Sequence, residues 1–110
     1  MSKKIVILGA GESGVGAALL AKQKGYNVFV SDASAIKSIY QSELEANGIA
    51  FESGMHDVER ILEADEVIKS PGIPERNELV QQIRAKGISV ISEIEFGFRY
   101  KGTSKIVAIT

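Results

Sequence analysis

The 110-residue sequence has no cysteine, no tryptophan and only two prolines. Without cysteine it has neither a disulfide scaffold nor a thiolate for catalysis or metal binding. Its apolar runs all fall well short of the roughly 20 residues that a membrane-spanning helix needs. The start MSKKIVILGAG is basic, but its apolar part is too short for a signal peptide and leads straight into glycines. We therefore expect a cytoplasmic protein.

An excess of charge of one sign is also lacking. The sequence has 13 basic and 14 acidic residues, well interspersed, and a formal net charge of −1. Nucleic acids and anionic membranes attract a basic patch, so neither is expected as a partner, and a small molecule is. The length suits one small domain with a real core, but is short for an enzyme with separate cofactor and substrate domains. We expect a monomer.

Apolar, β-branched runs alternate with helical segments along the whole chain. Three of the helical segments end in glycine, at Gly25, Gly48 and Gly87, where the left-handed conformation closes a helix. Repeated helix, glycine and strand units indicate βαβ crossovers and predict a doubly wound, Rossmann-like α/β fold with a mainly parallel sheet and helices on both faces. The segment 54–66 predicts only two helical turns. The predicted strands are 4–8, 27–32, 49–53, 66–70, 89–92 and 105–110.

The run GAGESG at positions 9–14 follows the first strand and opens a helix. Gly9 suits the sharp turn, Gly11 the close approach of the backbone to an anion, and Gly14 the tight packing of helix on strand. The free amides and the dipole of a helix start favour a negative group. The run therefore predicts a phosphate site, and the alternative is a glycine turn without a ligand.

Two further segments are expected at the carboxyl edge of the sheet, where ligands of such folds bind. Asp32 ends the second strand, 18 residues after Gly14, where a carboxylate accepts hydrogen bonds from a ribose or a base. SDAS at 31–34 is also rich in capping residues, so a turn role is the alternative, and both can hold. SPGIP at 70–74 ends the fourth strand, and is either a binding loop or an ordinary turn.

Other polar and aromatic residues favour structural roles. His56, the one histidine, has no neighbouring partner for metal binding or catalysis and is interpreted as a solvated loop residue. SEIE at 92–95 has capping-box spacing, with Ser92 as N-cap and Glu95 reaching back, which argues against acid-base roles for Glu93 and Glu95. An aromatic and aliphatic stripe is interpreted as core and interdomain packing: Ile94, Phe96, Phe98 and Tyr100.

The glycine turn and Asp32 by themselves favour an NAD-binding Rossmann module of a dehydrogenase. The ordered set of motifs favours another family, because dehydrogenases have no reason to carry all of them in this order. The set closely resembles the N-terminal domain of the Mur ligases, in the branch that adds D-glutamate to UDP-N-acetylmuramoyl-L-alanine in peptidoglycan synthesis. The motifs are GAGESG, SDAS, SPGIP, SEIEF and the closing KIVAIT, and they cover essentially the whole sequence.

The resemblance implies that residues 1–104 form an N-terminal UDP-binding domain, and that 105–110 are the first strand of a central ATP-binding domain. In the full-length enzyme, ATP and Mg²⁺ convert the alanyl carboxylate to an acyl phosphate, which D-glutamate attacks. By the resemblance, this part of the enzyme contains no catalytic residue and no cofactor or metal site. It is expected to be inactive alone.

By the same resemblance, three groups of residues hold the UDP moiety. The backbone of the glycine turn faces the diphosphate, the segment after the second strand meets the uracil, and the loop after the fourth strand lines the other side. In that order, the residues are Gly11, Glu12 and Ser13; Asp32, Ala33 and Ser34; and Ser70, Pro71, Gly72 and Ile73.

Overall fold

Strands and helices alternate strictly along residues 3–101, the part of the chain that the structure, a computed structural model, describes. The strands are β1 (Lys4–Leu8), β2 (Asn27–Asp32), β3 (Ala50–Ser53), β4 (Glu66–Lys69) and β5 (Ser89–Ser92). The helices are α1 (Glu12–Gln23), α2 (Ser38–Ala46), α3 (Val58–Ile61), α4 (Glu78–Ala85) and α5 (Glu93–Lys101).

The described strands form one sheet in the order β3-β2-β1-β4-β5, and every neighbouring pair is parallel. This confirms the doubly wound α/β prediction. The chain moves outward from β1 to β3, then returns to the other side of β1 with β4, so the strand order reverses between β1 and β4. In the register of these strands, Leu8 of β1 lies between Ser31 of β2 and Lys69 of β4. The segments that follow these three residues therefore meet at one edge.

The central strand β1 is buried on both faces, as a nearly continuous apolar run in a parallel sheet should be. Ile5 and Ile7 pack into one core cluster, whereas Val6 and Leu8 pack into the other. Full burial of such a side chain stabilises the fold by roughly 1.5–3 kcal/mol. The first cluster includes Val15 of α1, Leu44 of α2 and Phe96 of α5, and the second includes Ile61 of α3 and Ile83 of α4.

The connection between β3 and β4 differs from the prediction of two helical turns. The helix α3 is a single turn, with Asp57 as its N-cap accepting a hydrogen bond from Arg60 N. Only Ile61 is fully buried, while Val58 is 39% exposed. Leu62 and Ala64, which follow the helix, also pack on the second core cluster, so this connection contacts the sheet without a second helical turn.

The glycines predicted to close helices do so. Gly25, Gly48 and Gly87 all have positive φ angles, of 91°, 68° and 87°. Two strands are one residue shorter than predicted, since β3 begins at Ala50 and β4 ends at Lys69. The predicted strand 105–110 and the boundary at residue 104 lie outside the described residues. No helix within 3–101 has the length and apolarity needed to cross a membrane.

The start of α5 confirms the predicted capping box. Ser92 Oγ accepts a hydrogen bond from Glu95 N at 3.0 Å, and Ser92 N donates to Glu95 Oε1 at 3.1 Å. The same helix is tied to β4 by Arg99, whose two terminal nitrogens donate to the two carboxylate oxygens of Glu66 at 2.9 and 2.7 Å. These hydrogen bonds raise the pKa of Arg99 above its ordinary value.

The stripe on α5 divides between core and surface. Phe96 is fully buried, and Tyr100 packs edge-on against it with ring centroids 5.2 Å apart. The Tyr100 hydroxyl also hydrogen-bonds that of Tyr26. Ile94 and Phe98 are instead 68% and 69% exposed. Core packing is thus confirmed for Phe96 and Tyr100, and interdomain packing by the other two stays a prediction.

Candidate functional site

The turn after β1 requires glycine at two positions. Gly9 has a φ of +102°, a conformation that side chains disfavour, and a Cβ there would lie 2.8 Å from Ser70 Cβ. A Cβ on Gly14 would lie 2.0 Å from the carbonyl oxygen of Gly9. The helix α1 therefore rests directly on the turn backbone. This is the geometry that the sequence predicts for the first and third glycines.

Gly11 differs from these two because it faces open space. It is the N-cap of α1, and no atom lies within 4 Å of where its Cβ would be. Within the described residues, no side chain caps this end of α1. The first amides of a helix lack partners within the helix, so they are available to an anion. A phosphate is the ligand that this arrangement suits.

Asp32 ends β2 beside the turn and is half-buried. Its Oδ2 accepts a hydrogen bond from Ala10 N at 2.8 Å, and its Oδ1 accepts one from Ser34 N at 2.9 Å. The turn interpretation of Asp32 is therefore confirmed, because the carboxylate joins the glycine turn to the segment after β2. Each carboxylate oxygen has a further lone pair for a ligand, so contact with a base or ribose stays a prediction.

The loop after β4 is held against the end of β1. Ser70 N donates to Leu8 O at 3.1 Å, which extends the pairing of the two strands by one hydrogen bond. The loop then closes as a turn, in which Ile73 N donates to Ser70 O at 3.1 Å. Lys69 Nζ donates to Ile73 O at 2.6 Å and so ties the loop to the end of β4. The loop thus has a defined position opposite the glycine turn.

These segments enclose a cleft of about 300 Å³ at the carboxyl edge of the sheet. It brings together seven of the ten residues predicted for the UDP site, and Glu12, Ser13 and Pro71 do not line it. Ser13 and Pro71 line a separate apolar groove with Ile94 and Phe96. The seven predicted residues that line the cleft are Gly11, Asp32, Ala33, Ser34, Ser70, Gly72 and Ile73.

Sequence reasoning missed several residues of the cleft. Asn77 and Leu79 line it from the start of α4, where Asn77 Oδ1 caps the helix by accepting from Leu79 N at 2.9 Å. An asparagine before a helical pattern is a recognisable N-cap signal, but nothing in the sequence indicates that this helix start reaches the cleft.

The interpretation of His56 as a solvated loop residue is wrong. It is half-buried, it lines the cleft, and its Nδ1 lies 2.6 Å from the hydroxyl of the fully buried Ser31. The reason is the parallel register of β2 and β3, which pairs Ser31 with Glu52 and carries the loop after β3 over the end of β2. Only tertiary structure brings these segments together.

The cleft offers backbone amides, hydroxyls, one carboxylate and one imidazole. Within the described part of the chain, no lysine or arginine lines it. Nor do residues 3–101 contain a cluster of three or more histidine, aspartate or glutamate side chains placed to hold a metal ion. Backbone amides at a helix start and neighbouring hydroxyls suit recognition of a phosphorylated ligand.

Comparison with known families gives one match over most of the chain. Residues 3–92 match the Mur ligase MurD-like N-terminal domain. The sequence is 58% identical to UDP-N-acetylmuramoylalanine--D-glutamate ligase of Cytophaga hutchinsonii over all of this chain and 25% of that protein. It is 56% identical to the Bacteroides fragilis ligase of the same name over 98% of this chain and 24% of that one. The chain thus spans about a quarter of the length of these relatives.

Solved structures of peptide ligases also align with this chain. A murein peptide ligase from Psychrobacter arcticus aligns with a TM-score of 0.79 and 25% identity over 89% of this chain and 20% of its own. A pseudomurein peptide ligase type C from Methanothermus fervidus also aligns with a TM-score of 0.79, with 29% identity over 91% of this chain and 21% of its own. Nothing in these comparisons supports the dehydrogenase alternative.

Proposed function

Because the chain belongs to the Mur ligase MurD-like N-terminal domain family, we propose that its cleft binds the UDP moiety of UDP-N-acetylmuramoyl-L-alanine. The observation that carries this proposal is the uncapped start of α1 at Gly11, opening into a cleft whose other walls follow β2 and β4. The diphosphate lies over the amides of α1, where the helix dipole favours negative charge.

The two remaining walls serve the nucleoside. Asp32, Ala33 and Ser34 face the uracil, and the free lone pairs of the Asp32 carboxylate accept from its N–H group. The loop Ser70 to Ile73 closes the opposite side. The cleft, at about 300 Å³, is at the small end of ligand pockets, which suits part of a large nucleotide sugar. The remainder of the substrate extends beyond it.

Three of the predicted residues do not line the cleft, namely Glu12, Ser13 and Pro71. The exposed Glu12 does not line the cleft, so the unfavourable approach of its carboxylate to a diphosphate is avoided. Ser13 belongs to the first turn of α1, and its contribution to the site is its backbone amide. Pro71 lines the groove on the far side of the loop and supports the position of Gly72.

For the whole protein we propose the activity for which its relatives are named. In this reaction D-glutamate is joined to UDP-N-acetylmuramoyl-L-alanine, and ATP is consumed with Mg²⁺. The described cleft does not fit ATP and its metal, because it has no lysine or arginine on its walls and residues 3–101 have no metal-ligand cluster. We therefore assign no chemical step to these residues. The domain division at residue 104, a cytoplasmic location and a monomeric state are part of the same proposal.

The test is a titration of the ¹⁵N-labelled chain with UDP, UDP-N-acetylmuramoyl-L-alanine and NAD. Amide shifts at Gly11, Asp32 and Gly72 with both UDP compounds, and none with NAD, are expected. Shifts with NAD alone would instead establish the dehydrogenase module, and silence with the UDP compounds would refute the proposal.

Two alanine variants test whether UDP binds in the cleft. The Cβ of Gly11→Ala enters open space at an ordinary φ of −81°, so the fold is retained while a methyl group occupies the space over the helix amides. UDP binding should weaken roughly tenfold or more, the effect of overpacking by one methyl group. Gly16→Ala is the matched control, because it also adds a Cβ with no atom within 4 Å but lies outside the cleft.

A further inference from the structure

A short polar chain lies under the β2 wall of the cleft. It begins at Glu52 of β3, whose Oε2 accepts from Asp57 N at 2.7 Å and lies 2.7 Å from Ser31 Oγ. It continues through Ser31, which is 0% exposed, to His56 Nδ1 at 2.6 Å. Three side chains from two strands and the loop after β3 thus form one connected network, and its last member lines the cleft.

The number of protons in this hydrogen-bonded network determines the tautomer of the histidine. The Ser31 hydroxyl has one proton, and the Glu52 carboxylate only accepts. The Met55 carbonyl oxygen, 3.3 Å from Ser31 Oγ, also only accepts. Ser31 therefore donates its proton to Glu52, the nearer of these two acceptors, and Ser31 Oγ can only accept from His56. The proton of the neutral imidazole must then reside on Nδ1, which donates to Ser31. Nε2 is left with a free lone pair, as an acceptor.

Nε2 is also the accessible nitrogen. Among residues 3–101 it makes no hydrogen bond, and it is not a buried atom lacking a partner, so it is open to the cleft or to solvent. Its ring is held by the polar chain, which limits rotation. A fixed acceptor on a cleft wall is suited to select a ligand that presents a donor.

We propose that His56 is a specificity-determining residue of the cleft, whose Nε2 accepts a hydrogen bond from a donor group of the bound nucleoside. The inference rests on the proposed function. Ser31, which anchors the ring, directly precedes Asp32, so His56 belongs to the nucleoside side of the cleft and not to the glycine turn. A uridine presents two kinds of donor, the base N3–H and the ribose hydroxyls. A cytosine has an acceptor at N3 and would oppose Nε2.

The test compares UDP affinity of the wild-type chain with that of His56→Asn. Asparagine retains polar atoms near the position of Nδ1, for Ser31, and has none at the position of Nε2. UDP affinity should fall roughly three- to tenfold, the loss of one neutral hydrogen bond. Met55→Ala is the matched control, because this neighbouring side chain is 56% exposed and does not line the cleft, and its UDP affinity should be unchanged.

Three ligand analogues identify the donor. If the base is the donor, N3-methyl-UDP should bind wild type more weakly and lose nothing further in His56→Asn. If a ribose hydroxyl is the donor, 2′-deoxy-UDP or 3′-deoxy-UDP should behave in this way. Equal losses for UDP and all three analogues in His56→Asn would show that Nε2 meets none of these donors and would overturn the inference.

The ¹⁵N chemical shifts of the ring nitrogens distinguish a histidine that contacts the ligand from one with only a structural role. The ¹⁵N shifts of the one histidine should show a proton on Nδ1, and UDP should move the Nε2 signal. In Ser31→Ala the Nδ1 proton loses its acceptor, so the Nε2–H tautomer should gain population and UDP affinity should fall. A wild-type ring protonated mainly on Nε2 would overturn the inference.

Failure of this inference is distinguishable from failure of the proposed function. Wild type that does not respond to UDP overturns both. Wild type that binds UDP, together with His56→Asn that binds it equally well, overturns only the role of His56.

Discussion

Replacing Gly14 by alanine probes the contact between α1 and the glycine turn. A Cβ at this position would lie 2.0 Å from Gly9 O and 3.0 Å from Gly9 C. An ordinary van der Waals contact is 3.4–4 Å, so the helix must move away from the turn by more than about 1 Å. Overpacking of this kind costs about 1–3 kcal/mol, and the upper end applies because the obstructing atom is backbone and not a flexible side chain.

Alanine also favours a helix over glycine by about 1 kcal/mol, which offsets part of the clash. We therefore expect Gly14→Ala to lower the free energy of unfolding by about 2 kcal/mol. Gly16→Ala lies in the same helix and meets no atom within 4 Å. It has the propensity gain without the clash, so it should raise the free energy of unfolding by about 0.5–1 kcal/mol.

Urea-induced unfolding followed by circular dichroism measures both variants against wild type. The difference between them, about 3 kcal/mol, isolates the clash because the change of residue type is the same. By heat, each kilocalorie should appear as a shift in Tm of about 4 °C or more for a domain of this size. A Gly14→Ala chain as stable as Gly16→Ala would refute the packing of α1 on the turn.

Two other substitutions test the site and the fold. Asp32→Ala removes the acceptor of Ala10 N and Ser34 N, so stability should fall by about 1–3 kcal/mol in urea and UDP affinity by roughly ten- to a hundredfold. Unchanged affinity in the folded variant would remove Asp32 from the ligand site. Arg99→Ala leaves the buried Glu66, which is 6% exposed, without its partner. We expect the free energy of unfolding to fall by about 1.5–3 kcal/mol. This is less than for a fully buried ion pair, because the Arg99 side chain is 37% exposed. Equal unfolding midpoints would contradict this coupling of α5 to β4.

The features predicted correctly from the sequence depend on residues close together in the chain. Gly25, Gly48 and Gly87 close helices because each supplies a positive φ at a helix end. The capping box of Ser92 and Glu95 joins residues three positions apart. Patterns of this kind have their physical cause within one or two turns of chain, so the sequence contains the whole argument.

The site was predicted in part. Asp32 and the loop at Ser70 were expected at the same edge as the glycine turn, because parallel strands place their carboxyl ends together. The direct hydrogen bond from Ala10 N to Asp32 was not predicted, and it depends on the exact separation of two segments. Ser13 and Pro71 were expected to line the cleft, but they line the separate apolar groove instead.

By itself, the sequence determined the order of strands and helices, the glycine turn and the family, because these follow from periodicity, local backbone preference and motif order. Only the tertiary structure decided that His56 belongs to the cleft. Its place depends on the pairing of Ser31 with Glu52 across two strands. Register sets the neighbours of a side chain on the next strand, and those neighbours are distant in the sequence. A lone histidine in a polar loop has no local pattern from which such a contact could be read.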